Sequence, residues 1–161
     1  MTDNLTKVHI DLPNHWATGG ESLWARDFGG GRFRIENVPF YAYGLNFYDV
    51  VEARALRPEL KPSVMRVLER SGHQTIRVMF DEATVEEERI DRLNSLADLH
   101  VSYESCNPRY FALDLEPEAS MNAVRDRLDA WQAEEVLEYE TCEARQPGSF
   151  DAQPSDADAA T

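Results

Sequence analysis

The spacing of apolar residues changes along the second half of the chain, and this change restricts the possible folds most. Residues 75–80 alternate, with Ile76, Val78 and Phe80 on one face, which predicts a β-strand. From Thr84 the apolar residues recur every three or four positions, which predicts a helix. Two strand patterns, a second helix pattern and a last strand pattern follow. The order β-α-β-β-α-β is that of a ferredoxin-like unit, in which right-handed crossovers place both helices on one face of a four-stranded sheet.

Both predicted helices have local signals at their starts. Thr84 and Glu87 have the spacing of a capping box, so we expect the first helix to begin at Thr84. Pro117 suits the first turn of the second helix. The expected apolar stripes are Ile90, Leu93, Leu96 and Ala97 in the first helix, and Met121, Val124, Leu128 and Trp131 in the second.

The remaining strands of this unit are predicted at 100–105, 109–115 and 136–143, with a turn at 106–108. Alternation assigns seven residues to the helix-packed face of the sheet: Ile76, Val78, Phe80, Phe111, Leu113, Leu137 and Tyr139. The open face then holds Arg77, Glu104, Tyr110, Asp114, Glu138 and Glu140. One arginine among four carboxylates is unsuited to RNA, so we expect no nucleic-acid binding by this face.

The first half of the chain shows short strand patterns separated by turn residues. The expected strands are 7–12, 22–28, 32–38, 49–56 and 63–70. Gly29, Gly30 and Gly31 predict one hairpin, and residues 71–73 predict another between strands 63–70 and 74–80. Short strands at this spacing indicate a small bent sheet or a partial barrel.

These patterns give an α+β fold class with three segments. Residues 1–72 form a β-rich N-terminal module, and residues 73–145 form the ferredoxin-like unit. Residues 146–161 are rich in Pro, Gly, Ser, Asp and Ala and are predicted to be a disordered acidic tail.

The net charge of −14 lies entirely in the second half of the chain. Residues 1–70 contain nine basic and nine acidic side chains, whereas residues 71–161 contain seven basic and 21 acidic ones. Such a surface repels nucleic acid and anionic lipid and steers a basic protein towards itself. The alternative is that the acidity only keeps the protein soluble.

Signatures of catalysis, cofactors and membrane insertion do not occur in the sequence. It has no nucleophile elbow, no HExxH and no phosphate-binding loop, so we expect no catalytic residue and no cofactor. Cys106 and Cys142 lie too far apart for a zinc pattern, so we expect no metal. The first residues do not form a signal peptide and no apolar stretch is long enough to span a membrane, which favours a cytoplasmic location.

An aromatic segment at 37–49 is the most unusual local composition. It fits the floor of a binding pocket, with Asn37 and Asp49 supplying polar contacts. It also fits the core of a small β module, in which Asn37 and Asp49 fix turns through bonds to the backbone.

Several motifs in and around this segment resemble an uncharacterised bacterial family that is known only as a domain of unknown function. They are ESLWA at 21–25, GRFRIENVPFYAYGL at 31–45, YDVVEA at 48–53, SGH at 71–73 and TIRV at 75–78. The similarity covers residues 21–142 and implies no catalytic role for any position. The matching residues are Glu21, Trp24, Asn37, Pro39, Phe40, Gly44, Asp49, Glu52, Gly72, His73 and Arg77.

Three functions follow as hypotheses. The first is a non-catalytic acidic binding protein, in its sharpest form an immunity-type protein that neutralises a basic partner. The second is a small-molecule sensor using a crevice between the two halves. The third is an enzyme with His73 as partner of Asp49 or Glu52 in acid–base chemistry. The candidate binding residues are Asn37, Phe40, Tyr43, Asp49, Glu52, His73 and Arg77.

Overall fold

The computed structural model describes residues 4–151 and confirms the α+β class, with two mainly antiparallel sheets and two α-helices. The described chain divides into two compact units. The first unit contains residues 4–71 and 142–151, and the second contains residues 72–141. The second unit is therefore inserted between two segments of the first. Residues 152–161 of the predicted tail lie outside the described residues.

The first unit is a closed five-stranded barrel. Its strands are β1 (Leu5–Asp11), β2 (Gly20–Gly29), β3 (Arg32–Ile35), β4 (Val50–Arg54) and β5 (Ser63–Glu69). Consecutive strands pair antiparallel, and a parallel pairing of His9 with Ser63 closes the barrel. The predicted glycine hairpin is confirmed between β2 and β3, where Gly29, Gly30 and Gly31 have φ values of 83, 65 and 80°.

Apolar side chains from all five strands fill the barrel. The buried cluster consists of Val8, Ile10, Leu12, Leu23, Ala25, Phe33, Ile35, Ala42, Leu45, Val51, Ala53 and Val64. Phe150 packs against this cluster, and its carbonyl oxygen accepts a 3.0 Å hydrogen bond from the backbone N–H of Tyr43. Residues 146–151, which composition assigns to a tail, thus belong to the barrel unit.

The second unit contains a four-stranded antiparallel sheet and two α-helices. Its elements are β6 (Gln74–Phe80), α1 (Glu86–Ser95), a 3₁₀ turn (Leu96–Leu99), β7 (Val101–Ser105), β8 (Tyr110–Leu115), α2 (Met121–Ala133) and β9 (Leu137–Thr141). The strands lie in the order β7-β8-β6-β9.

The core of this unit confirms the predicted helix-packed face. All seven residues assigned to that face belong to the cluster or pack against it. From α2, Val124 and Leu128 are fully buried, while Met121 and Trp131 are partly buried at its edge. Burial of these side chains supplies the main stabilisation of the helix, because apolar burial is the largest favourable term in folding.

The predicted hairpin at residues 71–73 is wrong. β5 pairs with β1 and β4, whereas β6 pairs with β8 and β9. A turn sequence allows the chain to reverse its direction. Which strands then pair depends on which hydrophobic core the apolar face of each strand can join. Val64 of β5 is buried in the barrel and Val78 of β6 in the second core, so the two strands belong to different sheets.

The predicted capping box of α1 is also wrong. The helix begins at Glu86, and Val85 at its N-cap makes no side-chain hydrogen bond. The Thr84 hydroxyl donates to the carbonyl of Asp81 at 2.6 Å and accepts from Nε of Arg89 at 2.7 Å. The buried Arg89 guanidinium uses the hydroxyl that the cap would need. At the other end, Ala97 of the predicted stripe is exposed.

Candidate protein-binding surfaces

A buried carboxylate fixes the start of the aromatic segment. Glu21 accepts hydrogen bonds from three consecutive backbone N–H groups: Phe40 at 2.6 Å, Tyr41 at 3.1 Å and Ala42 at 3.0 Å. Only 9 % of Glu21 is exposed, and Phe40 is half-buried. Charge-assisted bonds of this kind are stronger than neutral ones, so Glu21 sets the path of the segment.

Asn37 and Asp49 both bind backbone N–H groups of the barrel unit through their side chains. The Asn37 side chain accepts from the N–H of Trp24 at 2.6 Å. The fully buried Asp49 accepts from the N–H groups of Asn46 at 2.9 Å and Ser71 at 2.8 Å. These contacts make both residues part of the barrel framework.

The other two candidates in the barrel are also engaged by neighbouring arginines. Tyr43 is 2 % exposed, and the guanidinium of Arg145 lies 4.5 Å from its ring centroid. Glu52 accepts from Arg54 at 3.0 Å and from Arg66 at 2.9 Å. Hydrogen bonds from these two arginines lower the pKa of Glu52, which keeps it ionised.

The last two candidates, His73 and Arg77, lie in the second unit, so the seven residues are divided between the units. Nδ1 of His73 lies 2.8 Å from Oδ1 of Asp114. Arg77 is buried, and its Nε lies 3.5 Å from Oε1 of Glu140 on the neighbouring strand. The carboxylate beside His73 is thus Asp114 of its own sheet.

The structure contains a second histidine–carboxylate pair, His9 and Asp11, that was not predicted from the sequence. Both side chains point outward from β1, where Nε2 of His9 lies 2.8 Å from Oδ1 of Asp11. They line an open cleft of about 440 Å³ together with Leu56, Leu60 and Ser63. The available signal was their i, i+2 spacing on a predicted strand, which places both side chains on one face.

The second unit contains six arginines, no lysine and 17 acidic side chains. Each arginine contacts a group of the same unit. Arg77 pairs with Glu140, Arg89 bonds Thr84 and the carbonyl of Pro108, Arg92 pairs with Glu88 and Glu134, Arg109 bonds the carbonyl of Phe80, Arg125 bonds Tyr139, and Arg127 pairs with Asp98. The positive charge of the unit is thereby engaged in its own fold.

Many of the acidic side chains lack such a partner. Eight exposed ones form neither an ion pair nor a side-chain hydrogen bond with any part of the chain that the structure describes: Glu82, Glu86, Glu87, Asp91, Glu118, Asp126, Glu135 and Glu138. Glu87 and Asp91 lie one turn apart on α1. The outer surface of this unit therefore has a strong negative excess.

Two of these acids line a cleft in the second unit. Glu135 and Glu138 stand with Asp81 around a space of about 410 Å³. The apolar part of its wall comes from Met79, Phe80 and Leu137. Arg109 also lines the cleft, and its Nε donates to the carbonyl oxygen of Phe80 at 2.9 Å, so three carboxylates face one engaged guanidinium. Such a cleft can hold the aliphatic stem of a lysine or arginine side chain and place its charged end beside carboxylates.

Residues 4–151 contain neither a cluster of metal-binding side chains nor a helix that could span a membrane. No group of three or more His, Cys, Asp or Glu side chains in that range could hold a metal ion. No helix in that range is long and apolar enough to cross a membrane. Cys106 and Cys142 are free thiols, one exposed and the other buried.

Comparisons with known proteins give a fold likeness and a family. A solved structure described as "Novel crystal structure of a hypothetical protein from Neisseria gonorrhoeae" has a TM-score of 0.73 with this chain at 16% identity. The match covers 93% of this chain and 98% of that one, and at this identity it shows the fold alone. No curated protein matches the chain. The family model described as Domain of unknown function (DUF4265) matches residues 21–139, which confirms the resemblance found in the sequence.

Proposed function

Because the chain belongs to the family Domain of unknown function (DUF4265), whose description states no activity, we propose a function from its charge distribution. The protein is a non-catalytic acidic binding protein that takes a basic protein as its partner. The most specific version of this proposal is an immunity-type role, in which the acidic surface neutralises a basic toxin.

The observation that carries this proposal is the asymmetry between arginines and carboxylates in the second unit. All six arginines contact groups of their own unit, while eight exposed carboxylates have no ion-pair partner within residues 4–151. A surface with this imbalance attracts a basic protein over a distance of roughly one Debye length, about 8 Å at physiological salt. If the charged residues served solubility alone, a surface on which exposed arginines are mixed with the carboxylates would serve equally well.

The cleft lined by Glu135 and Glu138 is the part of this surface best suited to specific recognition. It combines carboxylates with the exposed side chain of Met79, which is 41% accessible. A partner side chain inserted there would contact several walls at once, so it would gain more contact for the same loss of side-chain freedom than on a flat surface.

A ferredoxin-like fold of the second unit is part of the same proposal. The strand order β7-β8-β6-β9 supports it, and so do the two connections: α1 lies between β6 and β7 and α2 between β8 and β9, and in each case one other strand separates the two in the sheet. In such a fold the two helices cover one face of the sheet, which leaves their outer sides to present acidic residues. Glu86, Glu87 and Asp91 of α1 have this position.

The proposal is tested by affinity capture from a lysate of the native host, followed by mass spectrometry. The bait is the full chain, compared with the Glu135→Gln/Glu138→Gln variant and with a Glu118→Gln/Asp126→Asn variant of the same net charge. We expect a basic protein on the wild type and on the second variant, released by high salt and lost on the first. Equal capture by both variants would assign the retention to unspecific charge, and capture of no basic protein by any bait would overturn the proposal.

A further inference from the structure

The barrel carries a surface of a different character from the acidic unit. Within residues 4–151, nine of the eleven exposed large apolar side chains belong to the first unit: Leu5, Trp16, Trp24, Phe28, Tyr48, Leu56, Leu60, Met65 and Leu68. Strand alternation turns Trp24, Arg26 and Phe28 of β2 outward. Together with Arg34 of β3 and Tyr48 they form a surface that we name the arginine–aromatic face.

Arg34 stands between two aromatic rings of this face. Its guanidinium carbon lies 4.3 Å from the ring centroid of Tyr48 and 5.6 Å from that of Phe28. On Tyr48, the ring of Phe47 stacks at 4.1 Å. Tyr48 has a φ of 68°, a conformation that aromatic residues rarely adopt, and it remains 38% exposed. The fold thus holds an aromatic ring outward beside Arg34.

The guanidinium of Arg34 keeps part of its hydrogen-bonding capacity. Its Nε donates to Oε2 of Glu36 at 2.7 Å. Its two terminal nitrogens donate to no group within residues 4–151. Arg26 is the direct cross-strand partner of Arg34, and Glu36 pairs with both arginines, its Oε1 lying 3.6 Å from Nη2 of Arg26. Two arginines thus share one carboxylate, so this part of the face keeps a positive charge that an acidic group of a partner can approach.

These features together match the composition of protein-binding hot spots. Trp, Tyr, Phe and Arg are the side chains enriched at the centres of protein interfaces. The fork of a guanidinium also fits the two oxygens of a carboxylate. A nucleic-acid strand could use the same rings for stacking, and its phosphates could reach the same guanidinium, so it is the competing occupant in the test.

We infer that the arginine–aromatic face docks a short acidic segment of a partner protein, with one carboxylate on the terminal nitrogens of Arg34 and apolar contacts to Phe28 and Tyr48. This surface belongs to the barrel, so the inference is independent of the acidic surface proposed for the second unit.

The test is fluorescence anisotropy of the full chain with three labelled probes: a polyglutamate peptide, a polyglutamine peptide of equal length and an oligo-dT strand. We expect binding of polyglutamate, weakened by salt, and none of polyglutamine. Arg34→Gln should weaken polyglutamate binding by about tenfold, as expected for a hot-spot residue. The control Arg54→Gln removes an exposed arginine that pairs with Glu52 on the same barrel and should leave binding unchanged.

Phe28→Ala provides a second test at a half-exposed ring, where unfolding is not expected. It should also weaken polyglutamate binding. The inference is overturned if polyglutamate does not bind, if Arg34→Gln and Arg54→Gln behave alike, or if oligo-dT binds more tightly than polyglutamate.

Discussion

Nδ1 of His73 lies 2.8 Å from Oδ1 of Asp114, a residue of β8 that is only 4 % exposed. Burial raises the pKa of Asp114 above its usual value of 3.8, and the hydrogen bond from His73 offsets part of that effect. The titration of Asp114 therefore makes the stability of the second unit depend on pH.

The sign of this dependence follows from the raised pKa of Asp114. The folded state binds the proton more readily than the unfolded state does, so protonation of Asp114 stabilises the fold. The gain is complete below the unfolded pKa and is lost as pH rises through the folded pKa. On acidification from about pH 7 to pH 4, we expect the melting temperature of Asp114→Asn to fall more than that of the wild type. Parallel melting curves for the two proteins would contradict this assignment.

Glu21→Ala should destabilise the barrel. The substitution leaves the N–H groups of Phe40, Tyr41 and Ala42 without their carboxylate acceptor. We expect the free energy of unfolding to fall by about 3 kcal/mol, and amide exchange at those three residues to accelerate. In the control Glu69→Ala, a surface pair with Arg32 is removed, which should change the stability by less than about 1 kcal/mol.

Leu128→Asp should unfold the second unit. Leu128 is completely buried in its core, and a carboxylate there would have no polar partner of its own in the apolar cluster. Such changes cost about 4 kcal/mol or more, which is a large share of the stability of a small domain. Ala130→Asp on the exposed side of α2 is the matched control and should melt close to the wild type. A wild-type melt for Leu128→Asp would refute the packing of α2.

Gly44→Ala should cost more stability than Gly30→Ala. Both glycines have positive φ values, 74° and 65°, so both substitutions carry backbone strain of about 1–2 kcal/mol. A Cβ at position 44 would also lie 2.9 Å from Cβ of Ala144, whereas one at position 30 has nothing within 4 Å. The difference between the urea midpoints of the Gly44→Ala and Gly30→Ala variants measures the cost of the close approach to Ala144. Equal midpoints would mean that the segment around Ala144 moves away without cost.

Local patterns predicted the elements of the second unit well, because its helices and strands bury regular stripes. The spacing of Val124 and Leu128 sufficed to place α2 against the sheet. Thr84 shows the limit of this approach, since its hydroxyl serves the buried Arg89, and no sequence pattern reveals where a guanidinium will be buried. The pairing of His9 with Ser63 that closes the barrel could likewise not be predicted from local patterns, because it joins positions far apart in sequence.

The candidate binding residues were less predictable than the fold. Asn37 and Asp49 were open to two interpretations, and only their contacts with Trp24 and Ser71 show that they fix the backbone. The unpartnered carboxylates and the outward Arg34 could not be identified, because exposure and pairing depend on tertiary structure. Composition could locate the negative charge in the second half of the chain, but not the arginines that its own fold engages.

The insertion of residues 72–141 between two segments of the barrel unit has a consequence for synthesis on the ribosome. The second unit is continuous and can fold as soon as it emerges. The barrel lacks Phe150, which packs on its core, until almost the whole chain has been translated. Translation adds about 5–20 residues per second, so roughly 4–16 s pass between the emergence of β5 and that of Phe150. During this interval all five strands and the buried cluster of the barrel are present without the cover that Phe150 provides, so we expect the nascent barrel to close first and to gain its full stability only when the last segment has been translated.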